Sequence, residues 1–190
     1  ARDLRQISER GVPTMLKAME DAILSENFWT VALPQNLNST STTNPTYLVY
    51  LAAQVYFNDI SLLSSNITVR ELISLGGDVH HIFPKKYLIK NNYNKSFYNQ
   101  EANYAYLDRP VNESLGMRAP KDYFSLALKQ CETKQAECGS IINDVALKKN
   151  LIANCIPENV CDLDCDLYPE FLEQRRLLMA QKIRSYYESL

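Results

Sequence analysis

The sequence predicts a mainly α-helical domain with one small strand-containing unit embedded in its middle. Three observations carry that expectation. Helix-start signals recur at Pro13, Pro45, the Thr68–Glu71 pair and Pro120, and each opens an apolar-rich stretch. Gly76-Gly77 interrupts the pattern and leads into Val79-His80-His81-Ile82-Phe83, which reads as a strand. Pro110 then sits where a new helix would begin. The expected organisation is a helical scaffold over 1–75, a central unit over 76–124 and C-terminal helices over 125–190.

At the N-terminus, Leu4 and Ile7 lie one helical turn apart and Gly11 closes the segment. Pro13 starts a second helix whose apolar face is Met15, Leu16, Met19, Ile23 and Leu24. Phe28, Trp29 and Leu33 end it and anchor it, with Trp29 as core filler rather than a base-stacking platform. Residues 38–44 are Ser/Thr/Asn-rich and read as a loop. Pro45 opens a helix over 46–58 that is apolar nearly all round, which predicts burial on most sides and a central place in the scaffold. The Thr68-x-x-Glu71 spacing predicts a capped helix over 69–75. After the central unit come helices from Pro120 through Leu128, over 141–152, and over 168–190. The last carries Phe171, Leu172, Leu178, Met179, Ile183, Tyr186 and Tyr187 on its core face. Arg175, Arg176, Lys182 and Arg184 form largely its polar side. The stretch 157–169 is irregular and acidic. Its alternating Asp162, Asp164 and Asp166 lack the glycine and distal glutamate of a calcium loop.

A chain of 190 residues supports one sizeable core. No apolar run approaches the roughly 20 residues that span a bilayer. The chain opens at Ala1 inside a helix-like pattern and without an initiator Met, so it reads as a piece of a longer protein. The formal charge of −2 argues against a generally basic nucleic-acid binder. The charge is unevenly spread, however. Residues 77–130 hold eight Lys/Arg against five Asp/Glu, and residues 131–167 hold three against seven. The basic excess falls where a phosphate backbone would need it. The five cysteines, Cys131, Cys138, Cys155, Cys161 and Cys165, show no Cys-x-x-Cys spacing. They read first as reduced thiols packed as small hydrophobes, then as a structural metal site, and least as a disulfide framework. Asn-x-Ser/Thr triplets at Asn66, Asn94 and Asn112 read as chance.

The chain's two histidines, His80 and His81, are adjacent. Neighbours on a strand point to opposite faces, so both cannot be core filler on one side. In a tight β-hairpin followed by a helix, one could face a metal and the other a scissile phosphate. Phosphodiester hydrolysis needs a base to take a proton from water and a cation to offset charge on phosphate and leaving oxygen. Asn112 falls in the first turn of the helix that Pro110 opens, where the helix dipole favours an anion.

The run His80-His81-Ile82-Phe83-Pro84, with Asn103 and Asn112 nine residues apart, resembles the HNH, or ββα-metal, nuclease superfamily. The wording "GDVHHIFPKKYL", "NQEANYAYLDRPVN" and "APKDYF" is similar to a narrower group, the C-terminal nuclease domains of GmrSD-type bacterial defence proteins. The closing run "FLEQRRLLMAQKIRSYYESL" extends the resemblance over most of the chain. The resemblance implies a ββα-metal core within a mainly α fold and a DNA endonuclease activity. It implies His81 as general base, His80 and Asn112 as metal ligands, Asp78 as an indirect ligand or an orienting partner, and Asn103 as the brace of the hairpin. It implies Mg²⁺ or Mn²⁺ as the cation, DNA (often with modified bases) as substrate, a ParB-like nucleotide-binding domain preceding this one, and a bacterial cytoplasmic setting. Lys85, Lys86, Arg109 and Arg118 are candidate phosphate contacts; Lys85, Lys86 and Lys90 read equally as solvated side chains. Arg175 and Arg176 read as surface or core-edge residues. The sequence departs from the family at Gly116, four residues after Asn112, where many members carry a further His. That leaves a thin ligand shell and an alternative reading as a degenerate nucleic-acid-binding or partner-regulating module.

Overall fold

The computed structural model describes residues 2–77 and 79–190. Helices dominate, and the described residues contain one sheet of two short antiparallel strands. α1 (Arg2–Arg10) and α2 (Val12–Ile23) pack on each other. A π-helical turn, Phe28–Ala32, runs directly into α3 (Leu33–Asn36). The expected anchoring is found here: Phe28 and Trp29 pack against the core, and the Trp29 indole donates to the Leu24 carbonyl at 3.1 Å. α4 (Pro45–Tyr56) is capped by Asn44, whose side chain accepts from the Thr46 amide. α5 (Val69–Ser74) begins with both halves of the capping box in place. Thr68 accepts from the Glu71 amide at 3.1 Å, and Glu71 accepts from the Thr68 amide at 2.7 Å.

β1 (Val79–His81) runs antiparallel to β2 (Tyr104–Tyr106), with His80 opposite Ala105 and His81 opposite Tyr104. The tight hairpin expected from the sequence is not what forms. Residues 82–103 separate the strands and fold into α6 (Lys85–Lys90), α7 (Lys95–Tyr98) and a 3-10 turn at Glu101–Asn103. The reason is local. Pro84 occupies the N-cap of α6, and the Asn94 side chain caps α7 by accepting from the Ser96 and Phe97 amides. A run of Lys, Asn and aromatics with such caps has no alternation to hold it as strand. After β2, Leu107 and Asp108 lead straight into α8 (Arg109–Leu115), with the Asp108 carboxylate accepting from the Val111 amide at 2.9 Å. α9 (Pro120–Thr133), α10 (Asp144–Ala153) and α11 (Tyr168–Glu188) follow. Between α10 and α11 the acidic stretch forms only 3-10 turns, at Val160–Asp162 and Cys165–Leu167.

One continuous core draws on all three expected segments. Tyr47 and Tyr50 of α4 meet Ile82 and Phe83, Tyr123 and Phe124 of α9, and Tyr168, Phe171 and Met179 of α11. α11 is the central helix, packed on α3, α4 and the 3-10 turn before β2. The expectation that α4 would be buried on most sides is corrected: Tyr47, Tyr50, Ala53 and Gln54 are buried, whereas Leu48, Val49 and Tyr56 are exposed. An apolar helix is covered only where the fold supplies neighbours, and α11 and α5 reach only part of its circumference. Likewise, of the expected apolar face of α2 only Met15 is buried; Leu16, Met19 and Ile23 are exposed.

The largest correction concerns Arg175, which lies in the core at 1% exposure instead of on the polar side of α11. Its Nη1 donates to the Ala102 carbonyl at 2.8 Å and the Tyr104 carbonyl at 2.7 Å, and Nη2 donates to the Asn154 carbonyl at 3.3 Å. Carbonyl oxygens here take the place of a carboxylate partner, and the planar fork reaches several at once. On the other side of β2, the Tyr106 carbonyl accepts from the Leu62 amide at 3.0 Å. That loop is held by Asn150, which accepts from the Leu63 amide at 2.8 Å and donates to the Ser61 carbonyl at 2.9 Å. Gly139 closes over it at φ 78°, where a Cβ would lie 2.3 Å from the Leu63 carbonyl oxygen.

All five cysteines are free thiols, with Cys131, Cys138 and Cys155 buried. Burial pushes the Cys138 thiol up to about 11, which suits an inert packed thiol rather than a reactive one. Among the described residues no helix is long and apolar enough to cross a membrane.

Replacing Arg175 tests the core reading. Arg175→Met strands buried carbonyls at Ala102, Tyr104 and Asn154, and is expected to lower unfolding free energy by about 3 kcal/mol in urea titration. Arg176→Met, which loses a single hydrogen bond, to Asn38 Oδ1 at 3.3 Å, is expected to change it by under about 1 kcal/mol.

Candidate active site

The site is assembled around Asn103, which has no solvent exposure. Its Oδ1 accepts from the Phe83 amide at 2.8 Å. Its Nδ2 donates to the Phe83 carbonyl at 3.1 Å and to the Tyr98 carbonyl at 3.0 Å. Both ends of the carboxamide are thus used, and three backbone groups on two segments are tied to one side chain. The Asn103 carbonyl also accepts from the Ile82 amide at 2.8 Å, continuing the strand pairing by one step. From below, the buried Tyr123 of α9 donates its hydroxyl to the Ile82 carbonyl at 2.8 Å. Arg175 supports β2 in the same way. The backbone on either side of the histidines therefore has little freedom.

His81 is half-buried. Its Nε2 lies 3.0 Å from Asn99 Oδ1. Tyr104 meets the ring edge-on at 5.2 Å between centroids, and Tyr98 stands at 6.3 Å. The Lys85 ammonium sits 5.3 Å over the Tyr98 ring. Burial holds the His81 imidazole below the usual histidine value; the Asn99 hydrogen bond opposes this, and the positive charges of Lys85 and His80 add to it. Such an imidazole stays neutral over more of the pH range than an exposed histidine does. His80, also half-buried, belongs to the opposite face of β1. Asn112 lies half-buried on α8.

The other expected site residues are placed as follows. Asp78 lies outside the described residues. Lys85 belongs to the His81 cluster. Lys86 is an exposed residue of α6. Arg109 is exposed and paired with Glu113 at 2.8 Å on its own helix, an arrangement that contributes little to stability and leaves the side chain available. Arg118 is exposed in the turn between α8 and α9. Among the described residues no group of three or more His, Cys, Asp or Glu side chains could hold a metal ion. The expected shell of His80 and Asn112 is of another kind, a nitrogen and an amide oxygen. Such a pair suits a hard divalent cation whose remaining positions are filled by phosphate and water. Comparison with known protein families, curated proteins and solved structures finds no match.

Three contributors to the site were not anticipated. Asn99, Tyr123 and Arg175 act through contacts between segments distant in sequence, and each side chain reads locally as loop, core or helix surface. The aromatic-rich wording around Asn99 was visible, but nothing in it specifies a histidine partner.

A further buried group flanks the site. Glu101 is fully buried, and its Oε2 accepts from Asn44 Nδ2 at 3.0 Å. Burial pushes its carboxyl above the usual value, opposed by hydrogen bonds from Ser39 and Asn44. A carboxyl whose folded value exceeds its unfolded one binds its proton more tightly in the native state. Its contribution to stability therefore improves as pH falls from neutral through the raised folded value. Glu101→Gln is expected to be more stable than the parent at about pH 8, with the gap narrowing towards about pH 5 in thermal denaturation. Asn103→Ala, leaving three buried backbone groups unpaired, is expected to cost about 3 kcal/mol in the same assay.

Proposed function

We propose that the chain is a metal-dependent DNA endonuclease of the HNH, or ββα-metal, type. The observation that carries this reading is the Asn103 carboxamide, which ties Phe83, two residues past His81, to Tyr98. This is the bracing role that the sequence resemblance assigns to the middle asparagine. The order β1, β2, α8, with the histidines on β1 and Asn112 on α8, is the order the reading requires.

In the proposed reaction His81 takes a proton from water. The oxygen of that water forms a bond to phosphorus while the bond to the 3′ oxygen breaks; the departing 3′ oxygen takes a proton from solvent water, leaving a 5′ phosphate and a 3′ hydroxyl. A divalent cation, Mg²⁺ or Mn²⁺, held by His80 and Asn112 with Asp78 as an indirect ligand, would supply positive charge to the phosphate and to the leaving oxygen. Lys85, beside His81, and Lys86, Arg109 and Arg118 contribute further positive charge to backbone binding. Low His81 basicity keeps the base unprotonated at neutral pH. The wider role proposed is effector domain of a GmrSD-type bacterial restriction and phage-defence protein. There a ParB-like domain precedes it in the cytoplasm, and the DNA includes strands with modified bases.

Gly116 favours a second reading. It closes α8 at φ 57°, so the helix ends at the position where many family members carry another histidine. A catalytically degenerate module that binds nucleic acid or regulates a partner would fit that loss.

Plasmid cleavage separates the two. With Mg²⁺ or Mn²⁺ the parent is expected to cut, EDTA to abolish cutting, and His81→Ala to slow it by about 10²- to 10⁴-fold. Equal rates for His81→Ala and parent would remove His81 from the role of base. DNA retained in EDTA without cleavage under any metal would establish the binding module instead.

A further inference from the structure

Residues 82–103 do more than connect the strands: they place one polar side chain against His81. Asn99 follows α7, and its amide donates to the Lys95 carbonyl at 3.2 Å, which ties the residue to the helix end. The preceding carbonyl, that of Tyr98, is gripped by Asn103 Nδ2 at 3.0 Å. The same Asn103 carboxamide fixes Phe83, two residues beyond His81. One buried residue thus sets both the strand carrying the histidine and the peptide next to Asn99. The outcome is the 3.0 Å contact between His81 Nε2 and Asn99 Oδ1, with Tyr104 and Tyr98 flanking the ring.

We propose that Asn99 is the positioning residue for His81, its side-chain oxygen accepting the Nε2–H so that the ring is held in that tautomer and Nδ1 carries the lone pair. A carboxamide oxygen only accepts, so the nitrogen facing it must donate, and a neutral imidazole has one donor and one acceptor. The assignment rests on the hydrolytic reading above for what Nδ1 then does: it takes the proton from the attacking water and becomes the second N–H of an imidazolium, while Nε2–H stays on Asn99. The inference adds a residue and a ring nitrogen to that reading, and its spectroscopic consequence does not depend on cleavage.

The chain has two histidines, so nitrogen NMR of the imidazole rings resolves them, and His80→Gln leaves His81 alone for assignment. At alkaline pH, where both rings are neutral, the parent is expected to show His81 as the Nε2–H tautomer. Asn99→Leu, of similar size without an acceptor, is expected to give a mixture of tautomers and to lower kcat by about tenfold or more with little change in KM. Asn99→Asp keeps an accepting oxygen and is expected to restore the parent tautomer, which separates loss of the hydrogen bond from loss of fold. An Nδ1–H tautomer in the parent, or an unchanged tautomer in a folded Asn99→Leu, overturns the proposal. A parent that shows the Nε2–H tautomer, lost in Asn99→Leu, but cuts no DNA overturns the nuclease reading and upholds the role of Asn99 as the group that orients this ring.

Discussion

The structure around the candidate site depends on the saturation of one buried carboxamide. Asn103 spends its acceptor on the Phe83 amide and its two donors on the Phe83 and Tyr98 carbonyls. Two segments that approach it from different directions are therefore fixed relative to each other. A short strand pair of three residues each is marginal alone. It persists here because side chains from other elements hold the residue just past β1 and the start of β2, Tyr123 at Ile82 and Arg175 at Tyr104. Asparagine suits the central position because it offers acceptor and donor within one rigid plane. An aspartate would leave both carbonyls without donors.

Arg175 shows the same principle at higher stake. A guanidinium removed from water is costly unless its donors are used. Here it draws the 3-10 turn, β2 and the end of α10 to the middle of α11. Asn150 and Gln130 do comparable work without charge. Gln130 joins the end of α9 to the Cys138 amide at 2.8 Å and to the Ile141 carbonyl at 2.7 Å. Irregular segments make up much of the chain between helices, and their backbone groups find partners among these buried amides. The fold is an apolar core stitched by polar side chains that serve main-chain atoms.

What the sequence revealed followed from how local each feature is. The Thr68–Glu71 capping box, the stop at Gly76 and the helix opened by Pro110 all involve residues within one turn of each other, and all appear as expected. The histidine pair on a strand and the placement of Asn112 on the following helix were legible for the same reason. Periodicity failed for α4 and α2, since it reports which faces are apolar and not which faces find neighbours. Burial of Arg175 could not be read at all, because its partners come from Ala102, Tyr104 and Asn154, a matter of tertiary geometry. The helices of residues 82–103 are only six and four residues long, too short for a clear apolar period, and the Asn94 cap is their one strong local signal.

The reach of Arg175 into β2 also orders the making of the site in time. Every expected site residue lies between positions 78 and 118, and all of them leave the ribosome before α11 exists. Until residue 175 has been synthesised and folded back, the Ala102 and Tyr104 carbonyls lack their buried donor, and the pairing of β1 with β2 must close across residues 82–103 without that support. A nascent chain that has not reached residue 175 therefore carries the side chains of the candidate site without the donor that holds β2. The frame of β2 is thus completed only by α11, a helix that lies more than sixty residues further along the sequence.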